Sequence, residues 1–118
     1  MGRIKGSYAD SPEVGSIREM GFVVELRDET SRVLRRFNDQ DDGFANSLPP
    51  FHDTSFPLLR LIDPYGDTVF NSLQMQAVIP ELERLREVGH FEKTRSRVLE
   101  LAHQCADGAH LFLVFIGD

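Results

Sequence analysis

The side chains best suited to chemistry are concentrated in nine residues, Asp63-Pro-Tyr-Gly-Asp67-Thr-Val-Phe-Asn71, which hold two carboxylates, a phenol, a hydroxyl and an amide. Carboxylates at this spacing can bind a hard divalent cation or divide the roles of acid and base. Asp63, Tyr65, Asp67, Thr68 and Asn71 are therefore candidate binding residues, with His52 as a sixth member from the preceding segment. Turns and helix caps select the same residue types. Asp63 can close a turn through its own side chain, Asp67 or Thr68 can cap a helical turn, and Asn71 or Ser72 can cap the helix that follows.

The other constellations fail on spacing. Asn38-Asp-Gln-Asp-Asp-Gly43 begins like a calcium loop, but the twelfth position, which needs a bidentate glutamate, is Pro49. His52, His90, His103 and His110 include no pair at the i, i+4 spacing of a helical zinc site, and Cys105 is the only cysteine. Cys105 falls on an apolar helical stripe and is read as core rather than nucleophile. No nucleophile elbow, phosphate-cradling glycine loop or dinucleotide fingerprint is present. The sequence thus names no catalytic residue, metal ligand or cofactor.

The elements that would position the candidate segment follow from periodicity. Phe22, Val24 and Leu26 alternate with Val23, Glu25 and Arg27, which predicts a strand with one buried face. Asp28 to Ser31 reads as a turn, and Val33 to Phe37 as the second strand of a hairpin, with a short helix as the alternative. Residues 38–57, with three prolines among polar residues, are expected to form a long loop pinned by Phe44, Phe51 and Phe56. Leu58 to Ile62 is a short strand or tight turn, and Asp63 to Asp67 is a turn. Met75, Val78, Ile79, Leu82 and Leu85 form a helical stripe, with Glu81, Glu83, Arg84, Arg86 and Glu87 on the opposite face. Pro80 is expected to delay or kink that helix, and Gly89 to end it. Phe91, Val98, Leu101, Ala102 and Cys105 mark a second helix ending at Asp107-Gly108. Leu111 to Ile116 is apolar on both faces and belongs inside a sheet, since at an edge it would template aggregation.

These elements predict an α+β fold: a small, mainly antiparallel sheet of three to four strands, the C-terminal strand central, with two helices on one face. Residues 1–20 are expected to be a loosely ordered arm before a single domain over 21–118. The chain has 118 residues, 41% of them hydrophobic and 27% charged, and one cysteine. That is a one-domain, globular composition, and the single thiol together with a polar N-terminus predicts a soluble, cytoplasmic protein. No apolar run approaches the roughly 20 residues of a membrane span. Thirteen basic against nineteen acidic residues give a net charge of −6, which disfavours nucleic acid and favours a basic protein partner.

In size and charge the chain resembles small acidic immunity proteins that neutralise a partner toxin; no motif carries residue roles across. The resemblance and the composition together imply a non-catalytic protein-binding module, immunity-like or regulatory. The alternatives are a small metal-binding protein or hydrolase using Asp63 and Asp67, and a homodimer subunit joined through the sheet face that the helices leave open.

Overall fold

The computed structural model describes residues 22–39, 43–85 and 91–117. The expected N-terminal arm, the stop at Gly89, and His90 lie outside these residues. Four strands form one antiparallel sheet in the order β2-β1-β4-β3, with β1 Phe22–Arg27, β2 Val33–Asp39, β3 Asp67–Asn71 and β4 Phe112–Ile116. The C-terminal strand is internal, as its apolar faces require. The β1–β2 hairpin turns on Asp28, whose Oδ1 accepts from the Thr30 and Arg32 N–H groups at 2.9 and 3.0 Å. Ser31 takes φ of 68° there, a left-handed conformation that completes the reversal.

Among the described residues, three α-helices join the sheet: α1 Gly43–Ser47, α2 Met75–Arg84 and α3 Phe91–Asp107. Phe22, Val24, Leu26, Phe70, Leu113 and Phe115 present one sheet face to Met75, Val78 and Leu82 of α2 and to Val98, Leu101, Ala102 and Cys105 of α3. Phe44 of α1 is fully buried and stacks on Phe115 with centroids 5.6 Å apart. The helix α2 begins at Met75 and passes through Pro80, rather than starting after it. The carbonyl that Pro80 leaves without an N–H belongs to exposed Gln76, so water can serve it, and the buried Met75, Val78 and Leu82 hold the helix on both sides of the proline.

Three further readings are corrected. The segment expected to be an unstructured loop contains α1, because the buried carboxylate of Asp39 accepts from the N–H groups of Phe44 and Ala45 at 2.9 and 3.3 Å. Phe51, expected to pin that segment, is 70% exposed and lies beneath the Arg60 guanidinium instead. Glu81, placed on the solvent face of α2, is only 2% exposed. Its carboxylate accepts from the Leu58 and Leu59 N–H groups, at 3.2 and 2.9 Å, and so fastens the single 3-10 turn Leu59–Leu61 to the helix.

Glu25 departs from the simple alternation as well. It sits mid-strand on the sheet face opposite the helices, is 1% exposed, and is bracketed by Arg36 on β2 and Arg27 two residues along β1. Arg27 Nε and Arg36 Nε donate to its two oxygens at 2.7 and 2.8 Å. Burial pushes the Glu25 carboxyl pKa up, but the hydrogen bonds and charges of Arg36 and Arg27 outweigh it, leaving the value below the ordinary 4.5. A depressed folded-state pKa contributes stability above the unfolded-state value, and this is lost as pH falls through the folded one. Glu25→Gln should therefore cost about 2 kcal/mol at neutral pH, and the deficit should shrink as pH falls below the unfolded carboxyl range. Urea unfolding of both proteins between pH 7 and pH 3 measures this; a deficit that stays constant would refute the assignment.

Candidate functional site

The segment singled out for its polar side chains folds as a turn, the strand β3 and a second turn, so its residues spread along about the length of one edge strand. Asp63 Oδ1 accepts from the Tyr65 N–H at 2.8 Å, closing the first turn on its own side chain. Thr68 Oγ1 accepts from the Asp63 N–H at 2.9 Å and ties that turn to the strand. At the other end Asn71 and Gln74 bond reciprocally: Gln74 N–H donates to Asn71 Oδ1 at 2.9 Å, and Asn71 N–H to Gln74 Oε1 at 2.8 Å. Ser72 Oγ contacts the carbonyls of Gly108 and Leu111 at 2.9 and 3.1 Å, which fixes the start of α2 against the approach to β4.

That β3 is a strand at all was not expected from the sequence. Its five residues carry polar ends and bury only Phe70, so the alternation is too short to stand out. Register supplies the strand: Thr68 lies opposite Phe115 and Phe70 opposite Leu113 of β4. Gly66 O accepts from Gly117 N–H at 2.8 Å, which continues the ladder one step past the strand.

Two clefts flank the ends of β3. The first, about 560 Å³, is walled by Pro49, Pro50, Phe51, Ile62 and Pro64, with Arg60 and Asp63 at its margin. The Arg60 Nη1 donates to the Phe51 carbonyl at 2.9 Å, and its Nε is buried without an acceptor among the described residues. The second, about 550 Å³, lies between Asn71, Leu73, Gln76, Ala109, His110 and Phe112. Asp63 and Asn71 therefore border different clefts, while His52 is exposed and borders neither. Among the described residues no group of three or more His, Cys, Asp and Glu side chains is placed to hold a metal ion. Cys105 is fully buried and burial pushes its thiol pKa up, the contact with Ser72 opposing this more weakly. No helix among the described residues is long and apolar enough to cross a membrane.

Val69 and Leu73, which sequence reasoning passed over, join the candidate Tyr65 as exposed large side chains. Tyr65 is 83% exposed, Val69 54% and Leu73 75%, spaced evenly before, within and after β3. Val69 lies on the same sheet face as Glu25 and Val114, in a row that runs Arg36, Glu25, Val114, Val69 across the four strands. Along that row the side chains change from charged at β2 to a single valine at β3, which Asp67 and Asn71 flank. Comparison with protein-family models, with curated proteins and with solved structures finds no match to this chain.

The close approach at the end of the ladder makes one local test available. A Cβ added at Gly117 would stand 2.3 Å from the Pro64 carbonyl oxygen and 2.4 Å from its carbon, both backbone atoms that cannot rotate away. Gly117→Ala should lose about 1–3 kcal/mol in urea unfolding. Unchanged stability would mean that the turn leading into β3 is not held against β4 in solution.

Proposed function

We propose that the protein is a non-catalytic protein-binding module that docks its partner along the outer edge of β3. The observation that carries this reading is the line of Tyr65, Val69 and Leu73, three large apolar side chains exposed beside an edge strand. A lone exposed apolar residue needs no explanation, but three beside a strand whose outer edge is unpaired among the described residues match what strand-adding partners use. The backbone supplies hydrogen bonds, and side chains at alternate positions supply selectivity. The opposite edge is a poorer dock, because Arg32, Arg35 and Arg36, all exposed, surround β2 with charge. The net charge of −6 adds long-range attraction for a basic partner over an acidic one.

The test replaces Tyr65 and Leu73 together by serine. Both side chains are exposed, so the unfolding free energy should stay within about 0.5 kcal/mol of wild type. Proteins captured from the native host by the immobilised wild-type chain should be lost from the double variant and retained by a control substitution at exposed His103. Retention of every captured protein by the double variant would sink the reading.

A further inference from the structure

We infer that the cleft between α1 and the 3-10 turn binds a small monocarboxylate with an apolar body, its carboxylate held by Arg60. This site is separate from the β3 edge, so the inference stands or falls independently of the docking reading.

The cation comes first. Arg60 lies in the turn Leu59–Leu61, and its Nη1 donates to the Phe51 carbonyl at 2.9 Å. Its Nε is buried without an acceptor, and among the described residues Nη2 has no acceptor and no carboxylate pairs with the guanidinium. Arg27, Arg32, Arg35 and Arg36 each have a carboxylate partner. Arg84 is, like Arg60, bonded to a carbonyl and set over a ring, but it has no buried nitrogen lacking a partner and borders neither cleft. A buried N–H left without an acceptor costs free energy that a bound acceptor recovers.

The walls decide what else the ligand is. The cleft holds about 560 Å³, a volume in the range of small-molecule sites, and is walled by Pro49, Pro50, Phe51, Ile62 and Pro64. The three prolines have no N–H to offer. The N–H groups of Arg60, Leu61, Ile62 and Asp63 are already given to the carbonyls of Phe56, Leu58 and Leu59 and to Thr68 Oγ1. A phosphate or sulfate would therefore leave oxygens unpaired, and its second charge would face the Asp63 carboxylate at the margin. One planar guanidinium fork matches one carboxylate through two parallel hydrogen bonds, and the remaining wall suits carbon.

Nε is enclosed, so a carboxylate reaches it as a neighbouring side chain moves. Phe51 is 70% exposed, with its ring centroid 5.1 Å from the guanidinium carbon, and exposed side chains change rotamer within nanoseconds. Turned aside, its ring would lie along the apolar body of the ligand.

The probes are phenylacetate, phenylacetamide and phenyl phosphate, titrated into the isotope-labelled full chain and followed by backbone amide NMR. Phenylacetate should saturate in the millimolar range, shifting the amides of Phe51, Leu61, Ile62 and Asp63 and leaving those of Leu73 and Gln76 at the second cleft in place. Phenylacetamide, which lacks the charge, and phenyl phosphate, which exceeds it, should each bind about tenfold more weakly. Arg60→Gln keeps a donor for the Phe51 carbonyl but removes the charged fork, and should weaken phenylacetate about tenfold. Its urea unfolding checks that it folds; if it does not, the three probes on the wild-type chain decide alone. The inference is overturned by the absence of a saturable shift, by shifts centred elsewhere, or by amide or phosphate binding as tightly as the acid. Undiminished binding of phenylacetate to folded Arg60→Gln would overturn it as well.

Discussion

Five successive apolar residues in β4 set the conditions that the rest of the fold meets. Leu113 and Phe115 point into the helix-covered core, and Val114, on the other face, is only 2% exposed. A strand of this kind cannot leave either edge in water without inviting further strands, so both are filled, by β1 on one side and β3 on the other. The hairpin then forces β2 outside β1. The liability is thus moved from β4 to β3, where it is reduced to a single valine between an aspartate and an asparagine. The same placement brings Glu25 beside Val114 in the middle of the sheet, where a carboxylate is tolerable only because two guanidinium groups neutralise it.

Buried carboxylates organise the irregular half of the chain as well. Asp39 closes β2 and receives the first N–H groups of α1, and Thr94 Oγ1 of α3 reaches its other oxygen at 3.4 Å. Glu81 does the equivalent for the turn at Leu59 from its place on α2. In both cases a negative side chain sits where a short helix begins and backbone N–H groups lack partners, which is where negative charge is favoured. The segment between β2 and β3 is short of regular structure but is fastened at two points to elements that are not. This explains how Phe44 and Leu59 reach full burial from a stretch so rich in proline.

The elements with sustained periodicity were legible in the sequence. The alternation of Phe22, Val24 and Leu26, the stripes of α2 and α3, and the internal position of the last strand all follow from spacing that only one packing satisfies. What escaped depends on partners distant in sequence. Glu81 carries no local mark separating it from Glu83; only the N–H groups of Leu58 and Leu59, some twenty residues earlier, call it inward. The strand β3 needs β4 to exist, and α1 needs Asp39. The candidate segment was visible as a density of polar groups, and those groups turn out to shape turns and strand ends. Val69 and Leu73 drew no notice because an apolar residue acquires meaning only when the fold leaves it outside.

An edge strand is a liability unless its length and ends limit what can add to it, and β3 is short with polar ends. Five residues limit any added strand to a few hydrogen bonds, too few to hold without side-chain contacts beyond the strand. The large exposed side chains next to it, Tyr65 and Leu73, lie in turns rather than in line with the strand. Asp67 rejects a strand bearing acid opposite it, and the Asn71–Gln74 pair occupies the N–H that would extend the ladder further. The edge thus offers the backbone groups of Asp67 and Val69 between side chains that restrict what could pair with them. A single valine between two polar residues is a poor template for a stack of strands.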